Sequence, residues 1–156
     1  MKHHDKSAYI VVSIVALILI IASVSVITSK FQNTTRIILG DAVVTAKVAK
    51  NDEQHSKGLS GVQQLKDGEG MLFIFKEDDL HGIWMKDMKI NIDIVWLNKE
   101  KKVIYIVKNA TPESYPKKTF KPNKPARYVL EVPSGFVTKN KIVIGTPANF
   151  NTNALQ

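Results

Sequence analysis

The chain has 156 residues, no cysteine and a formal charge of +8 from 22 Lys and Arg against 14 Asp and Glu. The absence of cysteine excludes disulfides, a thiol nucleophile, cysteine metal sites and a lipidation cysteine, so stability has to come from packing. The basic balance favours anionic surfaces over acidic ones as neighbours, although the charges are spread along the chain as they would be on a solvated lysine-rich surface.

Residues 1–7, MKHHDKS, form a polar stub, and Ala8 to Ser29 then runs without a charged residue. As a helix those residues would be ~33 Å long, against a hydrocarbon core of about 30 Å. The pattern predicts a transmembrane helix or signal anchor over 8–29. Lys2 and Lys6 against Asp5 leave the stub in the cytoplasm by the positive-inside rule and the rest of the chain outside. A cleaved signal peptide is the competing reading, with Ser23-Val24-Ser25 as its small-residue site. Its apolar core would be roughly 7 to 15 residues, and the run here continues through Val26 and Ile27. The connecting segment SKFQNTT, which includes the linker at residues 30–35, spans at most ~25 Å even when extended, which keeps the following domain close to the membrane. Nucleic acid is a poor partner on that side.

Residues 36–147 alternate apolar runs with turn signals, as one domain with one core does, and residues 148–156 read as a polar, frayed tail. RIIL and AVVTAKV flank Gly40-Asp41, a hairpin signal. Asn51 followed by DEQHSK reads as a capped short helix that stops at Gly58, with His55 on its surface, and VQQL as one further helical turn. MLFIF, GIWMK, KINIDIVWL, VIYIV, RYVLEV and KIVIG all read as strands, with residues 98–102 as a hairpin loop and a short helical turn after Pro133-Ser134-Gly135. Residues 111–125 carry four of the six prolines, so no regular element fits there. The sum is a mostly β fold, a compact single-domain barrel or sandwich with one or two short helices.

Three charges interrupt apolar strands. Alternation in KINIDIVWL puts Ile90, Ile92, Ile94 and Trp96 on one face and Asn91, Asp93, Val95 and Leu97 on the other. Glu131 shares a face with Val129, and Lys86 follows Trp84-Met85. Trp84, Lys86, Asp93 and Glu131 are therefore the candidate pocket, as an acid/base pair with separated pKa values or a polar clasp for a ligand, against the plainer reading of structural ion pairs. The proline-rich excursion interleaves Tyr115 and Phe120 with Lys117, Lys118, Lys121, Lys124 and Arg127, a candidate ligand-binding loop for an anionic glycan or peptide, or else a surface loop with its aromatics packed down. Glu77-Asp78-Asp79-Leu80-His81 bunches metal-ligand types without the spacing of a known calcium loop, so no metal and no cofactor is expected. Asn33-Thr34-Thr35 and Asn109-Ala110-Thr111 match the glycosylation triplet. No serine elbow, zinc-helix motif, phosphate loop or dinucleotide fingerprint is present.

The ordered string Gly58-Leu59-Ser60-Gly61, Gly70-Met71-Leu72-Phe73, Trp84-Met85-Lys86, Ile92-Asp93-Ile94-Val95-Trp96, Pro112-Glu113-Ser114-Tyr115-Pro116 and Tyr128-Val129-Leu130-Glu131-Val132 resembles the family known as domain of unknown function 192. The likeness runs from about Val44 to Gly145. It implies a small β-rich domain, often exported or membrane-tethered, with no established activity, and it picks out Trp84, Met85, Lys86, Asp93 and Glu131 as motif positions. Two departures stand out. The family commonly places an arginine where this chain has Val62, and often closes with Gly-Asp where it has Gly145-Thr146. If that arginine serves an active site, this copy is inactive.

The functional expectation is a single-pass membrane protein whose extracytoplasmic β-domain binds a ligand or partner at the cell envelope, such as an anionic envelope polymer or a membrane protein, without catalysis. Two alternatives are an envelope hydrolase or lyase using Asp93 and Glu131 as acid and base, and a structural accessory of a membrane complex.

Overall fold

The computed structural model describes residues 10, 12–17 and 34–152. Within the apolar N-terminal unit, residues 10 and 12–17 are helical. The rest of the anticipated span lies outside the described residues, and among the described residues no helix is long and apolar enough to cross a membrane.

The second unit is built on one seven-stranded sheet. Its strands are β1 (Thr34–Leu39), β2 (Ala42–Ala49), β3 (Glu69–Asp79), β4 (Ile92–Leu97), β5 (Val103–Ala110), β6 (Ala126–Pro133) and β7 (Ala148–Asn149), in the order β5-β4-β6-β3-β2-β1-β7. Only β2 and β3 pair in parallel, and a parallel pair needs a crossover. Helix α1 (Asp52–Lys57) and the segment after it supply that crossover; the Asn51 side chain accepts from the Gln54 amide, and Gly58 closes the helix at φ 48°. The sheet curls into a half-barrel. At one corner its two ends meet through a bridge between Lys102 and Pro147 and a hydrogen bond from the Val103 amide to the Thr146 carbonyl. A two-sheet sandwich, one of the two expected architectures, is replaced by this single curled sheet.

Both faces of the sheet carry apolar clusters. One includes Ile37, Leu39, Val44, Leu72, Val95 and Leu130, and is capped by Phe136 and Val137 of the short helix α2 (Phe136–Lys139). The other includes Phe73, Ile94, Trp96 and Val129, and is roofed by Leu59 from the crossover and by Ile83, Met85 and Met88 from the β3–β4 connection. All six residues of β4 are buried, as a strand packed on both faces requires. The alternation anticipated for β4 holds, because Ile92, Ile94 and Trp96 enter one cluster while Val95 and Leu97 enter the other.

Three expected elements are absent. VQQL is not helical, since Gly61 takes φ 76° and ends the turn before it. GIWMK is not a strand; its backbone is held by separate partners, as described below. KIVIG is a turn, and the closing strand comes later, at β7. The tail therefore contributes to the core: Phe150 is buried, packs edge-on to Tyr128 at 5.1 Å, and lies under the Lys101 ammonium at 4.7 Å.

Candidate ligand cavity

Glu131 lies at the centre of the sheet, on β6 between Met71 of β3 and Ile94 of β4. Its odd-numbered neighbour Val129 belongs to the roofed cluster, so its carboxyl faces the roof. Strand β3 passes close at this point because Gly70 has no side chain; a Cβ there would stand 2.6 Å from the Glu131 carbonyl oxygen.

Above Glu131 the roof is incomplete. A cavity of about 180 Å³ is bounded by α1 and the turn after it (His55 to Ser60), Phe73, the Gly82–Trp84 stretch, Lys86, Met88 and Glu131. Glu131 is only 4% exposed, and its Oε2 has no hydrogen-bond partner among the described residues. Burial without a compensating partner disfavours the charged carboxylate, and it pushes the Glu131 carboxyl up to about 8. At neutral pH the group is thus largely a neutral acid, with one O–H to donate.

The cavity wall between β3 and β4 is pinned at four places. Trp96 Nε1 donates to the His81 carbonyl at 2.9 Å. Ile83 and Phe120 exchange two backbone hydrogen bonds of 2.8 Å. Ser60 Oγ donates to the Lys86 carbonyl at 2.8 Å, and the Gly61 amide to the Asp87 carbonyl at 2.9 Å. These bonds serve partners on three different segments, the crossover, β4 and the proline-rich segment, which is why GIWMK forms no regular ladder. Between buried Ile83 and buried Met85, Trp84 turns outward and is 47% exposed at the mouth. On the opposite wall His55 is half-buried rather than a plain surface residue. Its ring lies 4.6 Å from Phe75 and 5.9 Å from Phe73, and its Nε2 is 3.1 Å from the Ala49 carbonyl.

Of the four residues anticipated as a pocket, Trp84, Lys86 and Glu131 line this cavity and Asp93 does not. Asp93 pairs with Val132 in the ladder, one position from Glu131, and therefore projects to the other face. Its Oδ1 accepts from the Asn109 amide and its Oδ2 from the Val137 amide, both at 2.9 Å. It is a buried clasp between the end of β5, where Asn109 takes φ 52°, and the first turn of α2. No acid/base pair is formed by Asp93 and Glu131.

The proline-rich segment contains a 3-10 turn at Pro112–Ser114 and is otherwise irregular. Phe120 is buried against the cavity wall, with the Lys118 ammonium 4.5 Å above its ring. Arg127 pairs with Asp78 at 2.6 Å. Tyr115, Lys117, Lys121 and Lys124 remain exposed. The loop thus buttresses the cavity with one aromatic while presenting lysines outward. In the acidic stretch, Asp79 Oδ1 accepts from the Leu80 amide and the His81 ring stacks on Phe75 at 3.6 Å. Asn109 Oδ1, in one glycosylation triplet, accepts from Asn91 and Ser134; Asn33 of the other lies outside the described residues.

Sequence reasoning missed His55, Ser60 and Phe73 as cavity residues. The Gly58-Leu59-Ser60-Gly61 motif was the available signal, because two glycines around a small polar residue mark a turn where chain segments approach closely. Val62, at the family's arginine position, is half-buried against the roofed cluster and does not line the cavity.

The chain matches the model of a family described as Uncharacterized ACR, DUF192, over residues 35–150. No curated protein matches it. Among solved structures it is similar to a Sinorhizobium meliloti protein described as a candidate transcription regulator, with 26% identity, coverage of 75% of this chain and 92% of that one, and a TM-score of 0.69. It is also similar to a protein of unknown function from Novosphingobium aromaticivorans, with 26% identity, coverage of 74% and 83%, and a TM-score of 0.68. The chain belongs to the domain of unknown function 192 family.

Proposed function

We propose that this protein is a ligand-binding module of the cell envelope, tethered by its apolar N-terminal segment, and that the Glu131 cavity is its binding site. The observation that carries the reading is the unpartnered Oε2 of Glu131 in a cavity that opens beside an exposed tryptophan. A buried polar atom without a partner is rare in folded proteins, and it is tolerated where a ligand supplies the missing bond. The tether and the envelope location rest on the uncharged run from Ala8 to Ser29 and on the lysines before it.

Binding is favoured over catalysis because Asp93, the second carboxyl anticipated for an acid/base pair, lies on the other face of the sheet with both oxygens engaged by backbone amides. The other titratable side chains of the lining are His55, whose Nε2 is directed at the Ala49 carbonyl, and the exposed Lys57 and Lys86. The exposed loop lysines supply an anionic face near the membrane with a counterpart, a contribution screened by salt.

The test is an amide NMR screen of the full-length protein in nanodiscs of phosphatidylethanolamine and phosphatidylglycerol, against monosaccharides, hydroxy acids and amino acids. Shifts confined to residues 55–60, 82–88 and around 131, and lost in Glu131→Leu, are expected. Binders that perturb only other surfaces, or none that perturb the cavity, would overturn the reading.

A further inference from the structure

Taking the Glu131 cavity as a binding site, we infer that its ligand is a single hydroxylated ring carrying one carboxylate, an acidic monosaccharide unit such as a hexuronate. Three features of the cavity select this chemistry together.

The first is size. About 180 Å³ falls below the ~300–1,000 Å³ of clefts that take drug-sized ligands, so one six-membered ring with its substituents suits it better than a longer ligand. The second is the contrast between walls and floor. Trp84 at the mouth contributes a half-exposed indole, and Leu59, Phe73, Ile83 and Met88 offer apolar surface, while the most buried polar group of the lining is the orphaned carboxyl. A sugar ring has the matching anatomy, with a C–H face that packs on an aromatic plane and equatorial hydroxyls that exchange hydrogen bonds with a carboxyl. A neutral carboxyl both donates and accepts, as a hydroxyl does, so the pair is satisfied without burying a charge.

The third feature is the sign of the mouth. Lys57 and Lys86 are the lining cations, both exposed, and among the described residues the lining has no carboxyl group other than that of Glu131 at the floor. An ammonium ligand would have to pass two like charges to reach the floor, whereas a ring with its carboxylate outward sets that group beside them. Ser60 is already engaged with the Lys86 carbonyl, which fixes the Lys86 backbone at the rim before any ligand arrives and spares part of the ordering cost.

Calorimetry on the full-length protein in the same nanodiscs, with D-glucuronate, D-glucose and choline as probes, tests the inference. D-glucuronate is expected to bind about ten-fold more tightly than D-glucose, the scale of one charge-assisted contact at a partly exposed site, and choline is expected not to compete with it. Lys57→Met with Lys86→Met should bring the glucuronate-to-glucose ratio close to one. Trp84→Ala, an exposed position that leaves the fold intact, should weaken both sugars about ten-fold or more. If D-glucose or choline binds at the cavity as well as D-glucuronate does, the acidic-sugar assignment fails while the cavity remains a site. If amino acids or hydroxy acids shift the cavity residues and no sugar does, the ring assignment fails in the same way. If no probe shifts residues 55–60 or 82–88, both the assignment and the site are wrong.

Discussion

Asp93 and Glu131 sit on adjacent antiparallel strands, one ladder position apart, and point to opposite faces of the sheet: Asp93 is opposite Val132, and Glu131 is opposite Ile94. Both are buried. One has its oxygens filled by two backbone amides, and the other has an oxygen with none. The same residue chemistry therefore serves folding on one face and leaves a hydrogen-bonding oxygen without a partner among the described residues on the other.

The pH dependence of stability follows from Glu131. Its carboxyl rises from the ordinary 4.5 to about 8 in the native state through burial. Between those values the folded protein holds a proton that the unfolded chain has lost, so stability falls as pH rises. The contribution is fully present below pH 4.5 and levels off above pH 8, with a slope of at most about 1.4 kcal/mol per pH unit. Urea unfolding at a series of pH values should show this decline, and Glu131→Gln should flatten it. An unchanged profile in the variant would assign the decline to other groups.

Asp93→Ala should destabilise the domain by about 3 kcal/mol, since it strands two amides at once and removes the α2 clasp. Asp93→Asn keeps an acceptor for one of them and should lose about half as much. Ligand affinity of the folded fraction should not move, because the cavity is on the other face. A loss of affinity at full folding would return Asp93 to the site.

The legibility of the chain followed the range of the interactions. Hairpin β1–β2, the Asn51 cap and the parity of β4 are set by neighbours a few residues apart, and the sequence pattern predicts them. Parity within a strand says nothing of register between strands, so the shared or opposite faces of Asp93 and Glu131 could not be read until β4 and β6 were paired. GIWMK has strand composition, yet its partners lie on the crossover, on β4 and beyond β5, and such distant hydrogen bonds leave no local trace. Phe150 was hidden for the same reason; an aromatic among Asn and Ala gives no periodic signal, although Tyr128 and Lys101 enclose it.

Phe120→Ala should destabilise by about 3 kcal/mol as a buried large-to-small change and should also loosen the wall at Ile83, raising amide exchange at residues 82–86. Replacing Lys117, Lys118, Lys121 and Lys124 together by Ser should leave the unfolding free energy within about 1 kcal/mol of the parent. It should weaken co-sedimentation with isolated envelope material in a salt-dependent manner. Equal binding of the variant at low salt would remove the loop as a contact surface.

Carbon-13 NMR of the Glu131 side-chain carboxyl in the full-length, nanodisc-embedded protein reads both its protonation and its engagement by a ligand. The resonance should titrate near pH 8 and shift on addition of D-glucuronate at neutral pH, as the orphaned oxygen gains a partner. A carboxyl that titrates near 4.5, or that ignores every small molecule entering the cavity, would mean that Glu131 is not the group that receives a ligand.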